Sequence, residues 1–250
     1  MKMPILALAL SVMSAPAFAA TFVYVSNADD GTIGMYTLQA DGSLKPGDRV
    51  EAAKVVMPMA VSPDKRFLIA AVRSKPYEAY TYSIDKKSGA LKLVGKGPLA
   101  ESYPYITIDS TGRFLLGASY GAHQVGVNPI GEDGKVGEPI QVIPTARNAH
   151  SIRTDNTNRY VFVPHLGTDQ IFQFVFDAKS GKLTQIGSTP TEKQPRGFAI
   201  DPSGKFVVVS GEKSDTISSY AIDGETGALK EIGKYPTGKG ANWVEIVAFE

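Results

Sequence analysis

Gln194-Pro195-Arg196-Gly197-Phe198-Ala199-Ile200-Asp201-Pro202-Ser203-Gly204-Lys205-Phe206-Val207-Val208-Val209-Ser210-Gly211-Glu212 is an apolar run, a tight turn and a second apolar run rich in β-branched residues. That order of residue types predicts two antiparallel strands joined by the Asp-Pro-Ser-Gly turn. The unit recurs at Ser62-Pro63-Asp64-Lys65-Arg66-Phe67, at Asp109-Ser110-Thr111-Gly112-Arg113-Phe114 and at Asp155-Asn156-Thr157-Asn158-Arg159-Tyr160. Phe67, Phe114, Tyr160 and Phe206 are spaced 47, 46 and 46 residues apart, a fixed period that marks a repeat protein.

Each period continues into a third and a fourth strand across a glycine hairpin. These hairpins fall at Asp41-Gly42-Ser43, Ser88-Gly89-Ala90, Asp133-Gly134-Lys135, Ser180-Gly181-Lys182 and Thr226-Gly227-Ala228. Four strands per period predict an all-β fold, a β-propeller of four-stranded antiparallel blades. Second, third and fourth strands occur five times. The first set, from Thr21-Phe22-Val23-Tyr24-Val25 onward, has no innermost strand before it, and Trp243-Val244-Glu245-Ile246-Val247-Ala248-Phe249 has no successor. The expectation is five blades, with this C-terminal strand completing the first blade and closing the ring without exposed edges.

Met1-Lys2, the apolar run Ile5–Leu10 and Ala17-Phe18-Ala19 have the layout of a secretory signal peptide over residues 1–19, too short for a membrane span. Residues 20–250 then form a single propeller domain in a periplasmic or secreted protein. With 26 basic and 25 acidic residues, losing Lys2 leaves no net charge, which argues against a nucleic-acid partner. The chain has no cysteine, so disulfides and thiolate metal sites are excluded. His123, His150 and His165 have no metal-ligand spacing, there is no Gly-x-Ser-x-Gly elbow or phosphate-cradling loop, and no cofactor is expected.

The period also sorts residues onto faces. The start of an innermost strand and the end of the second strand lie at the same end of the channel. One mouth is therefore expected to collect His150, Arg196 and Trp243 from the innermost strands, with Arg73, Tyr120, His165 and Glu212 from the second strands. The Asp-x-x-Gly turns fall on the opposite face.

Gln194-Pro195-Arg196-Gly197-Phe198, Met59-Ala60-Val61-Ser62-Pro63-Asp64-Lys65-Arg66, Val72-Arg73, Ser119-Tyr120, Ala149-His150-Ser151 and Gly240-Ala241-Asn242-Trp243-Val244 resemble motifs of the lactonase-type β-propellers, the family of cycloisomerase 2 and 6-phosphogluconolactonase. The resemblance covers essentially all of residues 20–250. It departs in blade number: the family typically has seven, and the missing segment would lie between about Phe174 and Gln185, where the family carries a Pro-Arg-His motif and an Asn-Glu motif. Glu212, 16 residues after Arg196, stands where that missing blade would place its own glutamate.

The resemblance implies cofactor-independent hydrolysis of a sugar lactone, unphosphorylated if the protein is exported. Glu212 would be the general base, Arg196 would hold the oxyanion or product carboxylate, and His150 would exchange a proton with the leaving alkoxide. Arg73, Tyr120, His165 and Trp243 are the candidate substrate-binding residues. The plainer reading of Arg196 and Glu212 is an ion pair at the mouth, and that of Trp243 is packing between blades. The alternative function is a non-catalytic propeller that binds a small ligand or an envelope protein. The partner expected is a small lactone or sugar acid.

Overall fold

The computed structural model describes residues 20–241 and 244–246, and its strands form five antiparallel sheets. The first contains β1 (Thr21–Asn27), β2 (Thr32–Leu38) and β3 (Leu44–Glu51). The second runs β4 (Val56–Val61), β5 (Phe67–Val72), β6 (Glu78–Ile84), β7 (Leu91–Pro98). The third runs β8 (Tyr105–Ile108), β9 (Phe114–Ser119), β10 (Gln124–Pro129), β11 (Gln141–Pro144). The fourth is β12 (Arg153–Thr154), β13 (Tyr160–His165), β14 (Gln170–Asp177), β15 (Lys182–Pro190), and the fifth β16 (Pro195–Ile200), β17 (Phe206–Gly211), β18 (Thr216–Ile222), β19 (Leu229–Pro236). Every sheet is a meander in chain order, as short hairpin connections dictate.

The repeat extends to the irregularities. The pairing of third and fourth strands shifts register at Gly34/Tyr36, Thr81/Tyr82, Gln173/Phe174 and Ser219/Tyr220, so a bulge recurs with the period. Sheets stack through one device. The hairpin glycines Gly89, Gly134, Gly181 and Gly227 lie against the rings of Phe22, Phe67, Phe114 and Tyr160, each ring belonging to the preceding sheet. Gly181 shows why glycine is required: its φ is +76°, and a Cβ there would overlap the Phe114 ring. Buried clusters join the sheets, the largest uniting Leu116, Ala118, Val125 and Val127 of the third with Val161, Val163, Phe174 and Phe176 of the fourth.

The turn face is held by carboxylates that saturate backbone donors. Asp155 accepts from the N–H groups of Thr157, Arg159 and Tyr160 at 3.2, 2.9 and 2.9 Å. Asp109 does the same for Thr111, Arg113 and Phe114, and Asp201 for Ser203, Lys205 and Phe206. Asn158 reaches across to Asp109 and to the N–H of Ser110, tying the third turn to the fourth.

Among the described residues the first sheet has three strands and no innermost strand before β1. The strand expected to fill that place, Trp243–Phe249, lies mostly outside the described residues, and its described part, 244–246, is not a strand. Phe206 is 42% exposed and a Cβ added at Gly42 would meet nothing within 4 Å, so the ring-on-glycine contact of the other four junctions is not made between the last sheet and the first.

Candidate functional site

Arg196 owes its position to a break in pairing. Between Pro195 and Phe198 the β16–β17 register shifts, and bulges re-aim side chains at sheet ends. The bulge is fixed by Ser151, whose hydroxyl donates to the Arg196 carbonyl at 3.2 Å, and by Ser210, which donates to the Gly197 carbonyl at 3.2 Å. Upstream, Gln194 takes a φ of +53°, and its N–H donates to Asp169 at 2.8 Å. Glu192, almost wholly buried, accepts from Thr216 and Ser218 and faces Lys234 at 3.7 Å, pinning this segment onto β18. The N–H of Glu212 donates to the Gln194 carbonyl at 3.1 Å, which brings the Glu212 side chain beside Arg196.

Arg196 Nε lies 3.1 Å from Glu212 Oε2, and both side chains keep about a third of their surface exposed, at 39% and 30%. The pair is an ion contact without hydrogen-bond alignment, because Arg196 Nε is buried with no hydrogen-bond partner. His150 is next to it. Its Nδ1 is buried and unpartnered among the described residues, and the Tyr120 ring meets its ring edge-on at 6.2 Å between centroids. Burial, then the charges of Arg196 and Arg73, hold the His150 pKa below its ordinary value, against a smaller upward pull from Glu212. One imidazole thus senses three of the expected residues. Arg73 is steadied by Nε donating to Ser102 Oγ at 3.0 Å. Tyr120 is 39% exposed.

Two expected residues are not in this group. His165 requires a correction: it is fully buried, its ring lies 4.3 Å from Phe172, and neither nitrogen has a partner among the described residues. Burial drives its pKa down to about 4. The physical reason is that β13 is buried along its whole length and Leu166 after it is buried too, so His165 lies inside the packing between sheets. Trp243 lies outside the described residues. His123 serves a turn, its Nδ1 accepting the Asn148 N–H at 3.1 Å.

A cavity of about 240 Å³ lies where the innermost segments of the third, fourth and fifth sheets meet. Tyr105, His150, Ser151, Arg153, Arg196 and Phe198 line it, with Val244 from the C-terminal segment. Sequence reasoning missed Tyr105, Ser151 and Arg153. A signal existed for Arg153, which is in phase with Ala60, Thr107 and Ala199, so an arginine breaks a run of small residues. Together the site offers a small concavity with an imidazole and two guanidinium groups on its wall, and a half-buried carboxylate beside it on Arg196, a set suited to moving a proton and holding an oxyanion.

Comparison with known proteins places the chain in a family. The model described as "Lactonase, 7-bladed beta-propeller" matches residues 21–192 and 174–246, two segments that overlap around Phe174–Gln185, where the missing blade was expected. The 6-phosphogluconolactonase of Erwinia tasmaniensis is 41% identical over 162 residues, covering 65% of this chain and 48% of that protein. The enzyme of that name from Pectobacterium carotovorum is 39% identical over 149 residues, covering 60% and 44%. The chain thus spans about half the length of these curated relatives. Among solved structures, a Lactobacillus plantarum protein superposes with a TM-score of 0.80 at 21% identity, over 89% of this chain and 70% of that one. A putative 6-phosphogluconolactonase from Bacteroides uniformis gives 0.78 at 19% over 88% and 68%, and the periplasmic gluconolactonase of Pseudomonas aeruginosa 0.52 at 18% over 88% and 97%. With five sheets described where the family counts seven blades, and with the family match running through nearly all of its described residues, this chain belongs to the lactonase family of seven-bladed β-propellers.

Proposed function

We propose that the chain hydrolyses an unphosphorylated sugar lactone without a cofactor, outside the cytoplasm after removal of residues 1–19. The observation that carries this reading is the Arg196–Glu212 pair set in the β16 bulge beside an unpartnered His150. Glu212 accepts a proton from water as the water oxygen bonds to the lactone carbonyl carbon. Arg196 faces the oxyanion that forms and then the product carboxylate. The ring C–O bond breaks as the tetrahedral centre collapses, and the leaving oxygen takes a proton through His150. A neutral imidazole at pH 7, which the lowered pKa supplies, can accept and pass on that proton, so His150 is the second candidate base. Tyr120 and Arg73 border the imidazole as substrate contacts, and Trp243 is retained as a sequence-based contact. The relatives named 6-phosphogluconolactonase support the reaction class, and a phosphorylated metabolite fits poorly with export. Initial rates on unphosphorylated and 6-phosphorylated lactones, measured by pH-stat against spontaneous hydrolysis, test the reading. Acceleration restricted to the phosphorylated lactone would contradict its substrate assignment.

The alternative, a propeller that binds a small ligand or an envelope protein without turnover, is favoured by the chain's half-length match to its relatives. It requires sugar-acid or protein binding with no acceleration on any lactone.

Closure into a five-bladed ring by residues 243–249 belongs to the same proposal. Support comes from the missing innermost strand of the first sheet and from Val244 beside the innermost segments of three other sheets. In a closed ring Phe206 would lie on Gly42, and Phe206→Ala would cost about 3 kcal/mol, as Phe114→Ala should. A cost within about 0.5 kcal/mol at position 206 alone would exclude that closure. Deleting residues 243–250 should likewise lower thermal stability and promote association through exposed edges.

A further inference from the structure

Arg153 has no part in the chemistry above, yet it is one of two arginines on the wall of the cavity. Its Nε donates to the Tyr105 hydroxyl at 2.7 Å, and its guanidinium lies 5.9 Å from the centre of the Tyr105 ring. This fixes the plane of the fork from one side. Among the described residues no carboxylate pairs with Arg153, and its terminal nitrogens have no protein acceptor. Because the Tyr105 oxygen accepts from Arg153, its own O–H remains available to donate. Ser151 is already used on the Arg196 carbonyl, so the free polar groups of the cavity belong to Arg153, Tyr105, Arg196 and the His150 imidazole.

The wall contains no carboxylate, and Glu212, the acid nearest Arg196, is not part of it. A partly enclosed cavity with two cations and no anion on its wall concentrates positive potential. We propose that Arg153 and Tyr105 form an oxyanion subsite in this cavity, which they share with Arg196, and that it receives the carboxylate or phosphate of a sugar acid. Only the sugar identity of the ligand rests on the lactonase reading; the oxyanion preference follows from the cavity itself. The volume of about 240 Å³ suits a ligand no larger than one sugar with its charged end.

Isothermal titration of the full chain with gluconate, 6-phosphogluconate and glucose, at low and at physiological salt, tests the assignment. Both sugar acids are expected to bind at least tenfold more tightly than glucose, with the gap narrowing as salt rises. Tighter binding of 6-phosphogluconate than of gluconate identifies phosphate as the preferred oxyanion, and equal binding identifies the carboxylate. Arg153→Gln should lose about tenfold in affinity for both acids, and Arg153→Lys should retain part of it. Tyr105→Phe, which keeps the ring packing, should lose less than Arg153→Gln. Unchanged acid affinity in Arg153→Gln, or equal affinity of the wild type for glucose and gluconate, would overturn the proposal. Arg153-dependent acid binding by a protein that hydrolyses no lactone would leave this subsite standing and remove the lactonase reading. Lactone hydrolysis whose product inhibition is untouched by Arg153→Gln would do the reverse.

Discussion

The two ends of the sheets use charge in opposite ways. On the turn face Asp109, Asp155 and Asp201 recur with the period, and each carboxylate is filled by the backbone N–H donors two, four and five residues ahead. Asp64 has its carboxyl pulled down to about 2 by the hydrogen bond from Ser62 and then by Arg66. At the mouth the charged residues do not repeat, and their polar atoms are unfinished: His150 Nδ1 and Arg196 Nε are buried without hydrogen bonds. Saturated, periodic charge builds the fold, whereas unsaturated charge that breaks the period is left for a ligand.

The largest expected effect comes from the buried imidazole that belongs to neither pattern. His165 has a native pKa of about 4, below the ordinary 6.5, so between those values the unfolded chain binds a proton that the native chain does not. Stability should therefore fall as pH drops from about 6.5 to about 4, by about 3 kcal/mol in all from this residue. In His165→Leu, urea titrations across that range should show a flatter acid limb; an unchanged limb would contradict the burial argument.

Glu212→Gln comes next. It keeps the side chain's shape, removes the base, and should lower turnover roughly 100-fold while leaving the melting temperature near wild type. Asp155→Ala should show the opposite split: about 2 kcal/mol of stability lost, as buried backbone donors lose their acceptor, with the rate per folded molecule unchanged. The smallest change is Arg196→Lys, which retains the charge and loses the planar fork, and should cost about tenfold in kcat/KM with no change in melting temperature. If Asp155→Ala and Glu212→Gln both damage stability, or both damage rate alone, the division between the two faces fails.

The residues that repeat were the readable ones. Phe67, Phe114 and Tyr160, with the hairpin glycines Gly134, Gly181 and Gly227, carry the blade pattern openly, because each of these glycines sits on one of these rings of the preceding sheet. The Arg196–Glu212 contact was legible too, since strand ends in an antiparallel pair meet and the 16-residue offset fits that pairing. His165 was misplaced because both faces of β13 are covered by neighbouring sheets, so nearness to the strand end did not expose it. Tyr105 and Arg153 were overlooked because they begin innermost strands, where the period leads one to expect packing. Their pairing depends on the approach of two sheets 48 residues apart in the chain, a distance the period does not encode.

The central claim is that the unsaturated mouth turns over a lactone. Its most direct test is a pH-stat measurement of gluconolactone hydrolysis by the wild-type chain, with spontaneous hydrolysis subtracted and gluconate added as competitor. The account predicts a saturable enzymatic rate that gluconate suppresses competitively. A rate equal to spontaneous hydrolysis for gluconolactone and its relatives, from a protein with its cooperative fold intact, would contradict it.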